Sequence, residues 1–252
     1  MFKKIIKNFL KLSNYEVLPK ESWYKKQENY ISEISDEEQN LIKSIKDYSM
    51  CSVANHWAII QSIKHVFHNS LEGDFVEAGV FKGGNLIIMN HFLKKYNLDK
   101  NIFAYDTYDG MPDEKINFDY DLKNEPASKI RNRNNNKWCY SSLEEVKKNI
   151  SKFDKDFQKN FKFIIGKVEN TLQKTENIPD KISLLRLDTD FYESTKIELE
   201  LLYPRLVKNG ILIIDDYGHW KGAKKAVDEY FDNKNFLFLH RIDYSSRLLV
   251  KS

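Results

Sequence analysis

The sequence predicts an α/β fold: a doubly wound, mostly parallel sheet of seven strands that ends in an antiparallel C-terminal hairpin. Three observations predict it. Strand-like segments alternate with segments in which apolar residues recur every three to four positions, the spacing of an amphipathic helix. The strand-like segments are apolar almost throughout, which suits parallel strands that helices cover on both faces. The last two are joined by a short Asp-Tyr-Ser turn, which is typical of a hairpin.

The predicted elements alternate along the chain. Five strands cover residues 73–80, 101–107, 161–167, 182–188 and 210–216. The main helices cover residues 55–69, 83–97, 141–151, 191–206 and 222–233, and the hairpin strands cover 236–242 and 246–251. Since helical crossovers make the five strands parallel, their carboxyl ends meet at one edge of the sheet, where open α/β sheets bind ligands.

The composition and the strand–helix alternation of the sequence indicate two parts of the chain. Residues 1–48 are predicted to form an N-terminal helical cap or arm, which is compatible with a homodimer, and residues 49–252 to form the main domain. A polar stretch over residues 124–138 is predicted to be a long loop inside a lid-like region at about 110–140. Long loops in compact domains often close over a site.

Composition limits the class of protein. The chain has 252 residues, of which 41% are hydrophobic, so one large domain can bury a core. A net charge of +3 is too balanced for nucleic acid to be the main partner. The two cysteines, Cys51 and Cys139, make no disulfide framework and are predicted to be free thiols in a reducing compartment.

The N-terminal segment bears on location. Lys7 and Lys11 interrupt the apolar run that a signal peptide needs, and no later apolar stretch is long enough to span a bilayer. An amphipathic helix lying on a membrane is an alternative use of this segment. The predicted location is the cytoplasm, without a transmembrane segment.

The first strand ends in Glu77-x-Gly79-x-x-x-Gly83, which opens the next helix. Glycine permits positive φ and lets a ligand approach the backbone. Dinucleotide-binding turns have the spacing G-x-G-x-x-G, so the spacing here disfavours a nicotinamide oxidoreductase. An acid two positions before the first glycine suits the amino group of S-adenosylmethionine. The alternative is a strand–turn–helix unit without a ligand.

Acids also end the later strands. Asp106 follows the second strand, where an acid can accept hydrogen bonds from both ribose hydroxyls of an adenosine-containing cofactor. Asp188 follows the fourth strand, and Asp215 and Asp216 follow the fifth. If these two strands are neighbours, the three carboxylates repel one another unless a cation lies among them. Hard oxygen ligands select Mg²⁺, Ca²⁺ or Mn²⁺.

Each of these polar residues also has a structural alternative. A strand-end acid can cap the following helix or lie in a solvated turn. His219, on the same loop as Asp216, is a candidate for proton transfer or substrate contact, and equally for a surface histidine.

Together these residues resemble the macrocin O-methyltransferase family (TylF/MycF type), which methylates hydroxyls on sugars of natural products. The matching segments are GDFVEAGVFKGGN, FAYDTYDGMPD, ENTLQK and the run from ISLLRLDTDFYEST to GAKKAVDEY, within about residues 50–232. The resemblance implies a Rossmann-like class I methyltransferase fold, S-adenosylmethionine as methyl donor and a need for Mg²⁺. The stretch over 124–138 does not match, so the family's macrolide acceptors are not carried over.

Carried over position by position, the resemblance implies roles for named residues. The methionine end of the cofactor would be held by Glu77, Ala78, Gly79, Val80, Gly83 and Asn85, and the ribose by Asp106 and Thr107. The metal would be held by Asp188, Asp215 and Asp216. It would chelate two vicinal oxygens of the acceptor and lower the pKa of the hydroxyl to be methylated. Asp188, or else His219, would take the proton.

The predicted function is therefore S-adenosylmethionine- and Mg²⁺-dependent O-methylation of a sugar or other small metabolite, in natural-product or surface-polysaccharide biosynthesis. A second hypothesis is a small anionic, phosphorylated or nucleotide-linked acceptor. It would suit the basic residues of the 124–138 stretch, unless they are simply solvated: Lys129, Arg131, Arg133 and Lys137. A third hypothesis, a non-catalytic S-adenosylmethionine-binding protein, is disfavoured because the site acids are all present.

Overall fold

The computed structural model describes residues 31–112, 118–133, 138–232 and 238–252. The chain divides into two units, Met1–Ser35 and Asp36–Ser252. Most of the first unit, and with it most of the predicted cap or arm over 1–48, lies outside the described residues. The second unit begins with helix α1 (Asp36–Ser44) and a 3₁₀ turn at Lys46–Tyr48.

The second unit is built on one seven-stranded sheet. The strands are β1 (Asp74–Ala78), β2 (Ile102–Asp106), β3 (Phe161–Ile165), β4 (Ile182–Leu187), β5 (Leu206–Ile214), β6 (His240–Arg241) and β7 (Arg247–Val250). Their order is β3-β2-β1-β4-β5-β7-β6, parallel from β3 to β5 and antiparallel from β5 to β6. The predicted fold class, with its C-terminal hairpin, is confirmed.

Helices precede, connect and follow the parallel strands. They are α2 (Val53–His68), α3 (Gly84–Lys95), α4 (Ala127–Arg133), α5 (Leu143–Ser151), α6 (Val168–Thr171), α7 (Tyr192–Leu201) and α8 (Lys221–Phe231). In the described part of the chain, no helix is long and apolar enough to cross a bilayer.

Several predicted boundaries differ from the structure; the strand predicted over 210–216, for example, runs from Leu206 to Ile214. The helix predicted over 191–206 ends at Leu201, because Pro204 lies in a 3₁₀ turn and β5 already begins at Leu206. The strand predicted over 236–242 is reduced to His240–Arg241, and residues 236 and 237 lie outside the described residues. The polar stretch predicted as a loop over 124–138 contains helix α4, while residues 134–137 are not described.

The segment before α4 is tied to the sheet domain by its backbone. Asp121 pairs with Trp220 in an antiparallel bridge, and the amide of Lys221 donates to the carbonyl of Tyr120 at 2.9 Å. A small apolar cluster lies beneath it, formed by Ala127, Phe191, Trp220 and Ala223, with Met111, Ile130 and Trp138 packed against it. This part of the predicted lid is therefore an anchored wall beside the carboxyl ends of the strands.

The core explains why the strands are apolar. Residues of β1, β4 and β5 are buried between helices on both faces, including Val76, Leu185 and Leu212 at full burial. All six residues of β4 are buried, and one of them is Arg186. Burying an unpaired guanidinium is costly, so its partners define the site.

Candidate active site

The carboxyl ends of β1, β2, β4 and β5 open into a cavity of about 540 Å³. After β3 the chain returns past β1 to form β4, so the strand order reverses between β1 and β4. Open α/β sheets bind ligands at such a reversal. Of the predicted site residues, those in the cavity wall are Gly79, Val80, Asn85, Asp106, Thr107, Asp188, Asp215, Asp216 and His219. Glu77, Ala78 and Gly83 are not in the wall.

Asp106 holds the loop between β1 and α3, residues 79–83, which we call the glycine loop. One oxygen, Oδ2, accepts from the amides of Val80 at 2.7 Å and Phe81 at 3.2 Å. The other, Oδ1, accepts from the amide of Tyr108 at 2.8 Å. Burial raises the pKa of Asp106 against these donors. The carboxylate therefore orders two loops at the cavity edge.

Gly79 is required by its surroundings. Its φ is +85°, and a Cβ there would lie 1.9 Å from the carbonyl oxygen of Asp188. The loop after β1 thus touches the loop after β4, which no other residue type would allow.

Glu77 lies behind the wall instead of in it. Its side chain is 1% exposed, and its Oε1 accepts from Asn85 Nδ2 at 2.9 Å and from Arg186 Nη1 at 2.9 Å. Burial raises the pKa of Glu77 to about 7, against the opposing charge of Arg186. Glu77 therefore acts on a ligand in the cavity indirectly, through Asn85 and through Arg186.

Arg186 supplies the positive charge among the acids. Besides Glu77, its Nη1 binds Asp188 Oδ2 at 2.7 Å, and its Nη2 lies 3.0 Å from Asp215 Oδ1 and 3.1 Å from the sulfur of Cys51. Cys51, Asp188 and Asp215 offer atoms within 4.8 Å of one another, as metal ligands would. The guanidinium of Arg186 contacts all three residues, so it explains why their ligand atoms lie so close together.

Burial and these contacts shift the pKa values of Asp188 and Asp215 in opposite directions. Burial raises the pKa of Asp188 well above its usual range despite Arg186. Burial acts on Asp215 as well, but Arg186 and the donors Ser246 and Asn55 hold its pKa below the usual value. Of these two carboxyls, Asp188 is therefore the more readily protonated.

Asp216 pairs with a different acid. Its Oδ2 accepts from the amide of Asp190 at 3.0 Å, and it is not part of the grouping around Arg186. Burial, with the neighbouring charges of Asp190 and Asp215, raises the pKa of Asp216 well above the usual range. Burial likewise raises the pKa of Asp190 to about 7. Several carboxyls therefore share this edge with one buried cation.

His219 lies in the cavity wall between two aromatic rings. Its centroid is 5.1 Å from that of Trp220 and 5.9 Å from that of Tyr244, and Nδ1 lies 3.3 Å from the Tyr244 hydroxyl. Burial lowers the pKa of His219, so its imidazole is neutral near pH 7 and can accept a proton.

The comparisons with known proteins agree with this geometry. The sequence profile of macrocin-O-methyltransferase (TylF) matches residues 17–248. The chain belongs to the macrocin-O-methyltransferase family. It is 32% identical over 185 residues to demethyldecarbamoylnovobiocin O-methyltransferase of Streptomyces niveus, covering 73% of this chain and 67% of that protein. It is 29% identical over 171 residues to mycinamicin III 3''-O-methyltransferase of Micromonospora griseorubida, covering 68% and 65%.

The solved structures place the fold in the same family. The O-methyltransferase NovP superposes with a TM-score of 0.70 at 30% identity, over 81% of this chain and 82% of that one. The calicheamicin methyltransferase CalS11 has a TM-score of 0.56 at 17% identity, which shows the fold alone. The predicted family and the predicted enzyme class, an O-methyltransferase that uses S-adenosylmethionine, are confirmed. The chain spans about two thirds of the length of the curated family members that it matches.

Several residues of this family member's site were missed by the sequence analysis. Asn55 and Ser246 both donate to Asp215 Oδ1, the latter at 2.8 Å. They come from α2 and the hairpin, far from Asp215 in sequence, and carry no local signal. Arg186 did carry one, because an arginine inside an apolar buried strand requires acidic partners.

Proposed function

We propose that this family member transfers the methyl group of S-adenosylmethionine to a hydroxyl of a sugar or other small metabolite, with the help of Mg²⁺ or another hard divalent cation. The observation that carries the proposal is the convergence of the glycine loop, Asp106 and the strand-end acids on one cavity. The names of the similar proteins refer to O-methylation of demethyldecarbamoylnovobiocin, a rhamnosyl tetracenomycin and mycinamicin III.

The cavity fits the methyl donor in size and in polarity. A volume of about 540 Å³ lies in the range of small-molecule sites. We propose that Asp106 and Thr107, which line the cavity, hold the ribose, and that the Gly79 loop and Asn85 hold the methionine end. Asn85 Oδ1 is buried and has no hydrogen-bond partner in the described part of the chain, so it can accept from an ammonium group.

The metal site would be built from Asp188, Asp215 and Asp216. Arg186 engages Asp188 Oδ2 and Asp215 Oδ1, and its contacts do not involve the second oxygen of either carboxylate. Raised pKa values at Asp188 and Asp216 are expected where carboxyls crowd without enough positive charge, and a hard cation would relieve this. When bound, it would lower the pKa of the acceptor hydroxyl.

Two groups are candidates for taking the proton of the hydroxyl. Asp188 lies at the end of β4 beside the Gly79 loop, with its side chain 25% exposed. His219 offers a neutral imidazole in the wall of the same cavity. Asp188 is preferred because it lies against the loop proposed to hold the methyl donor, and a bound cation would lower its raised pKa so that it could accept the proton.

The wall formed by β4, β5 and the hairpin turn favours an uncharged acceptor. It carries Asp188, Asp190, Asp215, Asp216 and Asp243. Among the described residues, this part of the wall has no lysine or arginine that could pair with an anionic or phosphorylated acceptor. Lys129, the member of the basic run whose side chain is described, pairs with Glu125 at 2.9 Å. A neutral sugar of a natural product or surface polysaccharide is therefore the acceptor class we propose; the cytoplasmic location and a homodimer remain predictions.

The test is transfer of a labelled methyl group from S-adenosylmethionine to a panel of neutral sugars and natural-product glycosides, compared with their phosphorylated forms. We expect transfer to a neutral acceptor that stops in excess chelator and returns with Mg²⁺. Full activity in chelator would remove the metal from the proposal, and preference for the phosphorylated forms would overturn the acceptor class.

A further inference from the structure

Arg186 joins the acids at the carboxyl ends of β1, β4 and β5 with one planar group. Nη1 is shared by Glu77 Oε1 at 2.9 Å, behind the glycine loop, and Asp188 Oδ2 at 2.7 Å, at the end of β4. Nη2 contacts Asp215 on β5. The side chain is fully buried, so water cannot replace these partners. A lysine, with a single nitrogen, cannot span the same acceptors.

Glu77 passes this constraint to Asn85. Its Oε1 accepts from Asn85 Nδ2 at 2.9 Å. A carboxylate only accepts, so the amide nitrogen of Asn85 faces Glu77 and the amide oxygen points elsewhere. Asn85 lies in the cavity wall and is 6% exposed, and its Oδ1 has no hydrogen-bond partner among the described residues. A buried acceptor without a donor costs free energy unless a ligand supplies one.

We propose that Arg186 is a positioning residue for the methyl donor. It holds Glu77, Glu77 orients the amide of Asn85, and Asn85 Oδ1 accepts a hydrogen bond from the ammonium group at the methionine end of S-adenosylmethionine. This inference rests on the proposed function. Asn85 is the first residue with a side chain after Gly83 and Gly84 at the start of α3. The hydrogen bond from its Nδ2 to Glu77, at 2.9 Å, is the shorter of two contacts that orient its amide; the sulfur of Cys51 lies 3.6 Å from the same nitrogen.

The experiment is a double-mutant cycle read by calorimetric titration with S-adenosylhomocysteine, which keeps the ammonium group. Asn85→Ala removes the acceptor and is expected to weaken binding by about ten- to hundredfold, the range for a hydrogen bond to a charged group. Arg186→Lys is expected to weaken binding by at least about tenfold for the same reason. In the Asn85→Ala background, Arg186→Lys should add less than about threefold, because the amide that it positions is gone.

The matched control is Lys64→Met. Lys64 is the cation of another buried carboxylate, Glu38, and neither residue lines the cavity. This variant should lower thermal stability but leave S-adenosylhomocysteine binding within about twofold of the wild type. It separates loss of a buried ion pair in general from loss of the positioning contact.

Each outcome decides something. Additive losses in the cycle, or a folded Arg186→Lys protein that binds like the wild type, would overturn the positioning role. If Arg186→Lys does not fold, Asn85→Ala still decides, since unchanged binding in that variant overturns the inference. A wild-type protein that does not bind S-adenosylhomocysteine would instead reject the proposed function.

Discussion

Arg186 and Asp188 lie two positions apart on one face of β4 and its end, and Nη1 of the first is 2.7 Å from Oδ2 of the second. Side chains two apart on a strand point the same way, so this ion pair follows directly from the sequence Arg-Leu-Asp. The positive charge that faces these acids is therefore a side chain of the protein, and this side chain is fully buried. The first prediction follows from that burial.

Arg186→Met is predicted to reduce the free energy of unfolding by about 3–5 kcal/mol, because it leaves buried carboxylates without their cation. Urea unfolding followed by circular dichroism measures this. Lys181→Met is the control, since Lys181 pairs with Glu72 at the exposed surface and its loss should cost less than about 1 kcal/mol. Equal losses in the two variants would contradict the account.

Gly79→Ala is predicted to destabilise the protein more than Gly166→Ala. Both glycines have positive φ, +85° and +129°, so both substitutions incur strain of about 1–3 kcal/mol. Only at Gly79 would the new Cβ meet a backbone carbonyl, at 1.9 Å from Asp188 O; at Gly166 the nearest atom is a Thr171 methyl at 3.2 Å. The midpoints of urea unfolding compare them, and similar midpoints would speak against the close approach of the two loops.

The pH dependence of stability is predicted from Asp190. Its pKa is raised from 3.8 to about 7 in the folded protein. A raised pKa means that the stabilisation is complete below the unfolded pKa and is lost as the pH rises through the folded one. In metal-free buffer, the wild type should lose more unfolding free energy than Asp190→Asn between about pH 4 and pH 8. Identical pH profiles for the two proteins would contradict the raised pKa.

The proton acceptor is tested by a pair of variants. Asp188→Asn is predicted to reduce methyl transfer by about 10²–10⁴-fold, the usual contribution of a general base together with its electrostatic role. His219→Gln, which keeps a polar side chain of similar reach, should lose less than about tenfold if it only contacts the acceptor. Single-turnover rates measure both, and the reverse order would make His219 the base.

Much of the site could be predicted because strand ends are easy to locate. Four acids, Asp106, Asp188, Asp215 and Asp216, directly follow apolar runs, and parallel strands bring such ends to one edge. Their pairing could not be predicted. Whether Asp216 meets Asp188 or Asp190 depends on side-chain rotamers and on a loop residue at φ +67°, which sequence spacing does not determine.

Contacts made to the site by segments distant in sequence could not be predicted either. Asn55 binds Asp215 across 160 positions, and Ser246 binds it across 31, so neither has a local pattern. The spacing before Gly79 predicts that Glu77 contacts the cofactor; in the structure its Oε1 faces the guanidinium of Arg186, a contact that local spacing does not indicate. The sequence predicts a loop where helix α4 lies, because this polar segment lacks a long apolar stripe and the helix is only seven residues long.

The most direct measurement is a crystal structure of the protein with S-adenosylhomocysteine. We expect the ribose hydroxyls to lie within hydrogen-bonding distance of Asp106 and the ammonium group to lie beside Asn85 Oδ1, in the cavity at the carboxyl ends of β1, β2 and β4. Electron density for the nucleoside at any other surface, with this cavity filled only by water, would contradict it.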